Sequence, residues 1–113
     1  MNHSSLLPHH RLKAYAAVCA LLEAVRDARI RDAKLREQAL RAAGSACLNV
    51  AEAAGRASAA DKKRVFAIGR GEVVEAIAAV EVAVHGGLAH APALPAVLEA
   101  GNRAYAFLSG LLR

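Results

Sequence analysis

The 113-residue chain has no tryptophan, no threonine and only two cysteines, and aromatic residues make up 4% of it. Its longest apolar run, residues 14–22, is well short of the roughly 20 residues that a transmembrane helix needs. No segment alternates β-branched and polar residues between turn signals, so we predict no strand. With 56% hydrophobic residues, the chain can bury a core. These features predict one all-α domain that spans residues 1–113.

The small number of cysteines and the polar start of the chain indicate in which cellular compartment the protein lies. Cys19 and Cys47 fall in helical apolar patterns, and neither belongs to a Cys-x-x-Cys pair. We interpret them as small buried residues in a reducing compartment, with a disulfide between them as the alternative. Residues 1–11 are mostly polar and do not resemble a signal peptide. The sequence therefore predicts a cytoplasmic protein with no membrane partner.

Alanine is the most abundant residue, with 29 copies in the chain. A core of such small side chains requires the helices to approach closely. Apolar positions recur at steps of three and four residues in four segments, which predicts helices at about 8–28, 33–54, 59–85 and 95–112. The connections are short, so we predict an antiparallel up-down-up-down four-helix bundle.

Capping residues support these bounds. Asp32 is a predicted N-cap, Gly55 is a predicted C-cap, and Ser58 with Asp61 forms a variant of the capping box. Large apolar residues are expected to face the core. In the first and last helices these are Leu12, Tyr15, Cys19, Leu22, Val25, Leu98, Tyr105 and Leu108.

The third predicted helix is apolar on more than one side. From residue 73 to residue 84 only two residues are polar, and both are glutamates. Val74, Ala78 and Val82 lie away from the core stripe of this helix. A second apolar face is typical of a surface that binds a partner, so we expect a homo-oligomer. The alternative is that the segment 86–95 or the last helix covers this face.

The charge of the chain is uneven. Residues 1–70 hold 13 basic and 6 acidic side chains, a net charge of +7, whereas residues 71–113 hold 2 basic and 4 acidic side chains, a net charge of −2. A basic half is typical of proteins with a polyanionic partner. An arginine-rich surface that only increases solubility is the alternative.

The basic residues concentrate in two groups, which we predict as candidate nucleic-acid-binding residues. The first basic corner, between the first two helices, consists of Arg26, Arg29, Arg31, Lys34 and Arg36. The second basic corner, between the second and third helices, consists of Arg56, Lys62, Lys63 and Arg64. Such groups bind phosphate backbones without reading base sequence, and without interleaved aromatic residues base stacking is not expected. A solvated charged corner is the alternative for each group.

No residues show the spacing of a catalytic or metal site. His85 and His90 flank a Gly-Gly turn without a neighbouring carboxylate, and the Glu-x-x-His pair of di-metal bundles is missing. Ser45, Cys47 and Ser109 lie in helical patterns, away from strained turns. We therefore predict no enzyme activity, no catalytic residues, no metal ion and no cofactor.

A polar motif extends from the second helix into the third. Its residues are, in order, Asn49, Glu52, Phe66, Arg70, Gly71 and Glu75. The chain here resembles the bacterial four-helix-bundle family named after proteins encoded in intervening sequences of 23S ribosomal RNA genes. That family typically shows Asn-Ile-Ala-Glu-Gly, a later Phe, and Gly-Ser-x-x-Glu. Ala53 and Glu72 depart from this pattern.

We assign a structural role to Asn49, Glu52, Arg70, Gly71 and Glu75, with a functional role as the alternative. Glu52 is predicted to pair with one of the two lysines at positions 62 and 63. Asn49 is predicted to lie near the phenylalanine that follows in the motif.

The resemblance implies a bundle that assembles into a homopentameric ring and has no established catalytic residues. It extends to the accessory variability proteins of diversity-generating retroelements, which are basic pentamers that bind a reverse transcriptase and nucleic acid. We therefore expect a non-enzymatic oligomeric scaffold that binds RNA or DNA through its basic corners, with a reverse transcriptase as a further partner. A ring that binds only proteins is the alternative.

Overall fold

The computed structural model of the protein describes residues 6–113, so the first five residues of the polar start lie outside the described residues. It contains α1 (Lys13–Asp27), α2 (Ala33–Ala54), α3 (Ala59–His85) and α4 (Leu94–Leu111). Short 3-10 turns at positions 8–11 and 91–93 precede α1 and α4. Residues 6–113 contain no strand, as the sequence predicts.

The starts of α2 and α3 depend on their N-caps. Asp32 Oδ2 accepts a hydrogen bond from Leu35 N at 2.9 Å, and Ser58 Oγ accepts one from Asp61 N at 3.1 Å. Each bond satisfies a backbone N–H group that has no partner within its helix. Both helices occupy the residues that the sequence predicts for them.

The start of α1 differs from the prediction. Leu12 has extended backbone angles, with φ −87° and ψ 127°, and separates the turn that begins at Pro8 from the helix that begins at Lys13. Pro8 is the first residue of the short 3-10 turn rather than of α1. The half-buried side chain of Leu12 packs against the core at this end of the bundle.

The four helices form a closed bundle in which each helix packs against the next and α1 also packs against α4. Contacts between residues show that α3 runs antiparallel to both α2 and α4. Lys62 at the start of α3 donates to the carbonyl of Ala54 at the end of α2, and Arg70 in α3 donates to Ser109 near the end of α4. The predicted four-helix bundle is confirmed.

Small side chains make up most of the core. Of the 27 buried apolar residues, 15 are alanines, and such small side chains allow the helices to approach closely. No polar or charged side chain among residues 6–113 is fully buried. The charged groups of the bundle therefore lie on its surface and at its ends.

The inward faces of α1 and α4 differ from those predicted. Leu12, Tyr15, Cys19 and Leu22 are only half-buried, and Tyr105, predicted to face the core, is 42% exposed. The buried positions of α1 and α4 are instead mostly alanine, valine and glycine. Val25 and Leu108 are buried as predicted. The prediction was wrong for the others because it followed residue size, whereas most of the positions at the close helix contacts hold small residues and the larger ones lie at the flanks.

Gly101 offers a test of this close packing. A Cβ atom at Gly101 in α4 would lie 2.7 Å from Ile77 Cγ1 in α3, whereas one at Gly44 in α2 would have nothing within 4 Å. We expect Gly101→Val to lower the free energy of unfolding by about 1–3 kcal/mol through overpacking. Gly44→Ala is expected to raise it by about 0.5–1 kcal/mol through helix propensity. Urea unfolding followed by circular dichroism measures both, and equal effects would contradict the packing argument.

Candidate nucleic-acid interface at the basic corners

The two basic corners lie at opposite ends of the bundle. They are separated by α2, whose 22 residues span about 33 Å at 1.5 Å per residue. The longest extent of the protein is 44 Å. One subunit therefore does not combine both corners into a single continuous patch, and each is described by itself.

The first basic corner is built on two connections that are fastened to each other. Arg31 N donates to Leu88 O, and His90 N donates to Ala28 O, both at 2.7 Å. The α1–α2 connection is thereby held against the α3–α4 connection. Ala28 and Ile30 are buried beneath it. Arg29 and Arg31 therefore project from a backbone that is held by hydrogen bonds at Ala28 and at Arg31.

Two arginines of this corner bind neutral carbonyl groups. The Arg31 guanidinium donates to Gly87 O, and Arg36 Nη1 donates to Ile30 O at 3.0 Å. These bonds orient the side chains but do not neutralise their charge. Arg26 differs, because its Nε lies 3.1 Å from an oxygen of the adjacent carboxylate, Asp27 Oδ1.

Arg29 and Lys34 are exposed, and neither side chain has an ion pair or hydrogen bond within residues 6–113. Arg29 has a left-handed backbone conformation, with φ 48°, which is uncommon for a residue other than glycine. It turns the chain sharply after α1. These two cations are therefore available to bind an anion. Residues 26–37 hold five basic and three acidic side chains, a net charge of +2.

The second basic corner is paired with carboxylates. Arg56 binds Glu52 and also lies 3.2 Å from Asp61 Oδ2, while Arg64 Nη2 lies 2.9 Å from Asp61 Oδ1. Lys62 Nζ donates to a carbonyl at the end of α2, at 3.3 Å. Of the four basic residues, Lys63 alone has no such partner within residues 6–113. This corner fastens the α2–α3 connection.

The predicted partner of Glu52 was wrong. Glu52 pairs with Arg56, four residues later, rather than with a lysine of α3. The reason is that Arg56 follows directly after the end of α2 and reaches back along it. Lys62 meanwhile binds the carbonyl group at the end of that helix.

The polar motif residues lie at seams between helices. Asn49 Nδ2 donates to Glu72 Oε1 at 2.7 Å, and Asn49 lies beside Gly69. The proximity of Asn49 to Phe66 stays a prediction. Glu75 lies 3.7 Å from Arg41 Nη2, again between α2 and α3. Glu72, which departs from the family pattern, was missed as a partner. Aligning α2 and α3 as antiparallel helices in register would have placed Glu72 opposite Asn49.

The α3–α4 seam holds the remaining motif arginine. Arg70 Nη1 donates to Ser109 Oγ at 3.0 Å, and its guanidinium carbon lies 5.2 Å from the centre of the Tyr105 ring. By contrast, a Cβ atom at Gly71 would meet nothing within 4 Å, so no close approach within the subunit requires this glycine.

The Cys47 thiol is unsuited to nucleophilic chemistry. Both cysteines are free. Burial raises the pKa of the Cys47 thiol to about 12, and the neighbouring Cys19 adds to this shift. Cys47 is therefore protonated at neutral pH, whereas the reactive form is the thiolate. Within residues 6–113, no three His, Cys, Asp or Glu side chains cluster closely enough to hold a metal ion.

The fold and the charged ends define the protein as a four-helix-bundle protein with a basic corner fixed at one end. The chain matches the family described as 23S rRNA-intervening sequence protein over residues 12–107. It belongs to this family, in agreement with the resemblance carried by its polar motif. No curated protein matches the chain. None of the helices in residues 6–113 is long and apolar enough to cross a membrane.

The ion pairs of the second corner predict a pH-dependent stability. The hydrogen bond from Arg64, together with the charge of Arg56, holds the pKa of Asp61 below its ordinary value. A lowered pKa stabilises the folded state above about pH 3.9, the value in an unfolded chain, and this stabilisation is lost as the pH falls through the folded pKa. Asp61→Asn should therefore lower the melting temperature at pH 7 and have less effect at pH 3.

Thermal unfolding followed by circular dichroism at both pH values measures this difference. Glu99→Gln is the matched control, since Glu99 is exposed and forms no ion pair within residues 6–113. The interpretation fails if the two variants melt alike at pH 7.

Proposed function

We propose that the protein is a non-enzymatic, self-associating scaffold that binds the phosphate backbone of RNA or DNA through its first basic corner. The observation that carries the proposal is the pair of exposed cations, Arg29 on the connection held by backbone hydrogen bonds and Lys34 in the first turn of α2 that follows it. Arg31 and Arg36 add positive charge there without a carboxylate partner. A preorganised cationic surface binds polyanions without the entropic cost of ordering its own loops.

The second basic corner is the weaker candidate. Three of its four basic side chains bind a carboxylate or a helix-end carbonyl. A nucleic acid would have to compete with Glu52 and Asp61 for Arg56 and Arg64. We therefore assign backbone binding to the first corner and a structural role to the second.

The binding mode we propose is independent of base sequence. The first corner has no aromatic residue on which a base could stack, and its groups are arginines and lysine, which bind phosphate. Affinity should accordingly depend on salt concentration and little on base sequence.

Self-association is proposed through the outward face of α3. Five successive outward positions of this helix are uncharged and exposed: Ala67, Gly71, Val74, Ala78 and Val82. Two of them are large, with Val74 49% and Val82 56% exposed. An apolar stripe of this length is typical of a partner surface. The family resemblance implies five subunits, in which case each end of the ring would repeat one basic corner five times.

A matched pair of substitutions tests the interface. Ala78→Glu places a charge in the middle of the outward face of α3, and Ala20→Glu places one at an exposed position of α1. Multi-angle light scattering at micromolar concentration should give a multiple of 11.8 kDa for the native protein and for Ala20→Glu. Ala78→Glu should give the monomer mass, because a buried unpaired charge opposes association. A native protein that is monomeric would remove the proposal of self-association.

Charge reversal tests the nucleic-acid interface. The double variant Arg29→Glu, Lys34→Glu removes the two cations that have no structural contact. Fluorescence anisotropy with labelled single-stranded and duplex RNA and DNA, at about 50 and 200 mM salt, measures affinity and its salt dependence. We expect weaker binding to all ligands and a slope of log K against log salt that is smaller by about 2.

The control is Arg103→Glu, Arg113→Glu, which changes the net charge equally on the acidic half of the chain. If both double variants lose affinity to the same extent, net charge rather than the first corner is responsible. If the native protein binds none of these nucleic acids at low salt, the scaffold binds proteins instead. A reverse transcriptase is the protein partner that the family resemblance implies.

A further inference from the structure

An apolar cleft of about 580 Å³ opens at the end of the bundle where α1 and α3 begin. Leu12, directly before α1, lines it together with Ala54 of α2, Phe66 of α3 and Leu111 of α4. The cleft is thus the exposed end of the hydrophobic core rather than a groove on one face. Its volume lies within the range of about 300–1,000 Å³ that is typical of small-molecule sites.

Two cations line this apolar cleft, and no carboxylate of residues 6–113 does. Arg11 contributes from the 3-10 turn before α1, and Lys62 contributes from the first turns of α3. Arg11 forms no ion pair within residues 6–113. Lys62 Nζ donates one hydrogen bond, to Ala54 O at 3.3 Å, and an ammonium group has two further N–H donors. The two positive charges therefore lack a negative partner in the cleft.

We propose that this cleft binds an amphipathic carboxylate, a molecule with one apolar chain and one negatively charged end. The chain would lie against Leu12, Phe66 and Leu111, where it is removed from water. The carboxylate would accept hydrogen bonds from Arg11 and Lys62, and such charge-assisted bonds are stronger than neutral ones. A nucleic acid fits less well, because a phosphate backbone has no apolar chain to occupy the interior of the cleft.

This site lies at the opposite end of the bundle from the first basic corner and is independent of the proposed nucleic-acid binding. It makes no use of Arg29 or Lys34. Its test contains no nucleic acid, so either proposal can fail while the other holds.

Octanoate is a suitable probe, with 1-octanol as the uncharged analogue and acetate as the carboxylate without a chain. Isothermal titration calorimetry on the full chain should show that octanoate binds about tenfold or more tightly than either analogue. Equal affinity for octanol would overturn the role of the cations. Equal affinity for acetate would overturn the role of the apolar cleft, and no octanoate binding at millimolar concentration would overturn the site itself.

Variants identify the cations. Lys62→Met and Arg11→Gln should each weaken octanoate binding about tenfold, whereas Lys63→Met, next to Lys62 but outside the cleft, should bind as the native protein does. Circular dichroism melting checks that each variant is folded. Chemical shifts of the Leu12, Phe66 and Leu111 side chains provide a second measurement on the native protein. Shifts confined to the outward face of α3 would place the ligand elsewhere and overturn the proposal.

Discussion

The close approach of helices across a core of small side chains is the constraint on which the rest of the structure depends. At the α2–α3 seam, a Cβ atom at Gly69 would lie 3.4 Å from Val50 Cγ2, so the backbone of α3 packs directly against side chains of α2 here. Interiors packed this densely admit only one register. That register brings Asn49 to Glu72 and Lys62 to the end of α2. The polar contacts follow from the packing rather than determine it.

Because the helices pack closely across an apolar core, the charged residues lie on the surface and at the ends of the bundle. The core holds no buried polar side chain among residues 6–113, so charged residues collect where the helices are joined. The two corners have similar composition but different chemistry. At one, arginines bind neutral carbonyls and keep their charge available. At the other, Glu52 and Asp61 neutralise much of it. Composition alone does not distinguish a corner with available cations from one whose cations form structural ion pairs.

Predictions from local chemistry succeeded where the physical cause is itself local. An N-cap acts within one turn of its own helix, so Asp32 and Ser58 marked the starts of α2 and α3 correctly. Predictions that required a neighbouring helix were less accurate. Tyr105 is large and apolar enough to suggest the core, yet its ring lies at the surface beside Arg70. Periodicity identifies a helix and placed Val74, Ala78 and Val82 of α3 away from the core correctly. In α1 and α4, however, the largest apolar side chains do not all mark the side that faces inward.

The sequence by itself determined the helical class, the number of helices, most of their bounds and the family, because these depend on spacing, capping and motif residues that are adjacent in the chain. The tertiary structure alone decided which cations remain available and which are paired. Arg31 and Gly87 are 56 residues apart, and only the packing of two connections brings them together. The cleft beside Arg11 and Lys62 likewise exists only where four separate segments end at one place. Contacts between distant residues depend on register and on the volume of every side chain between them, which no local pattern records.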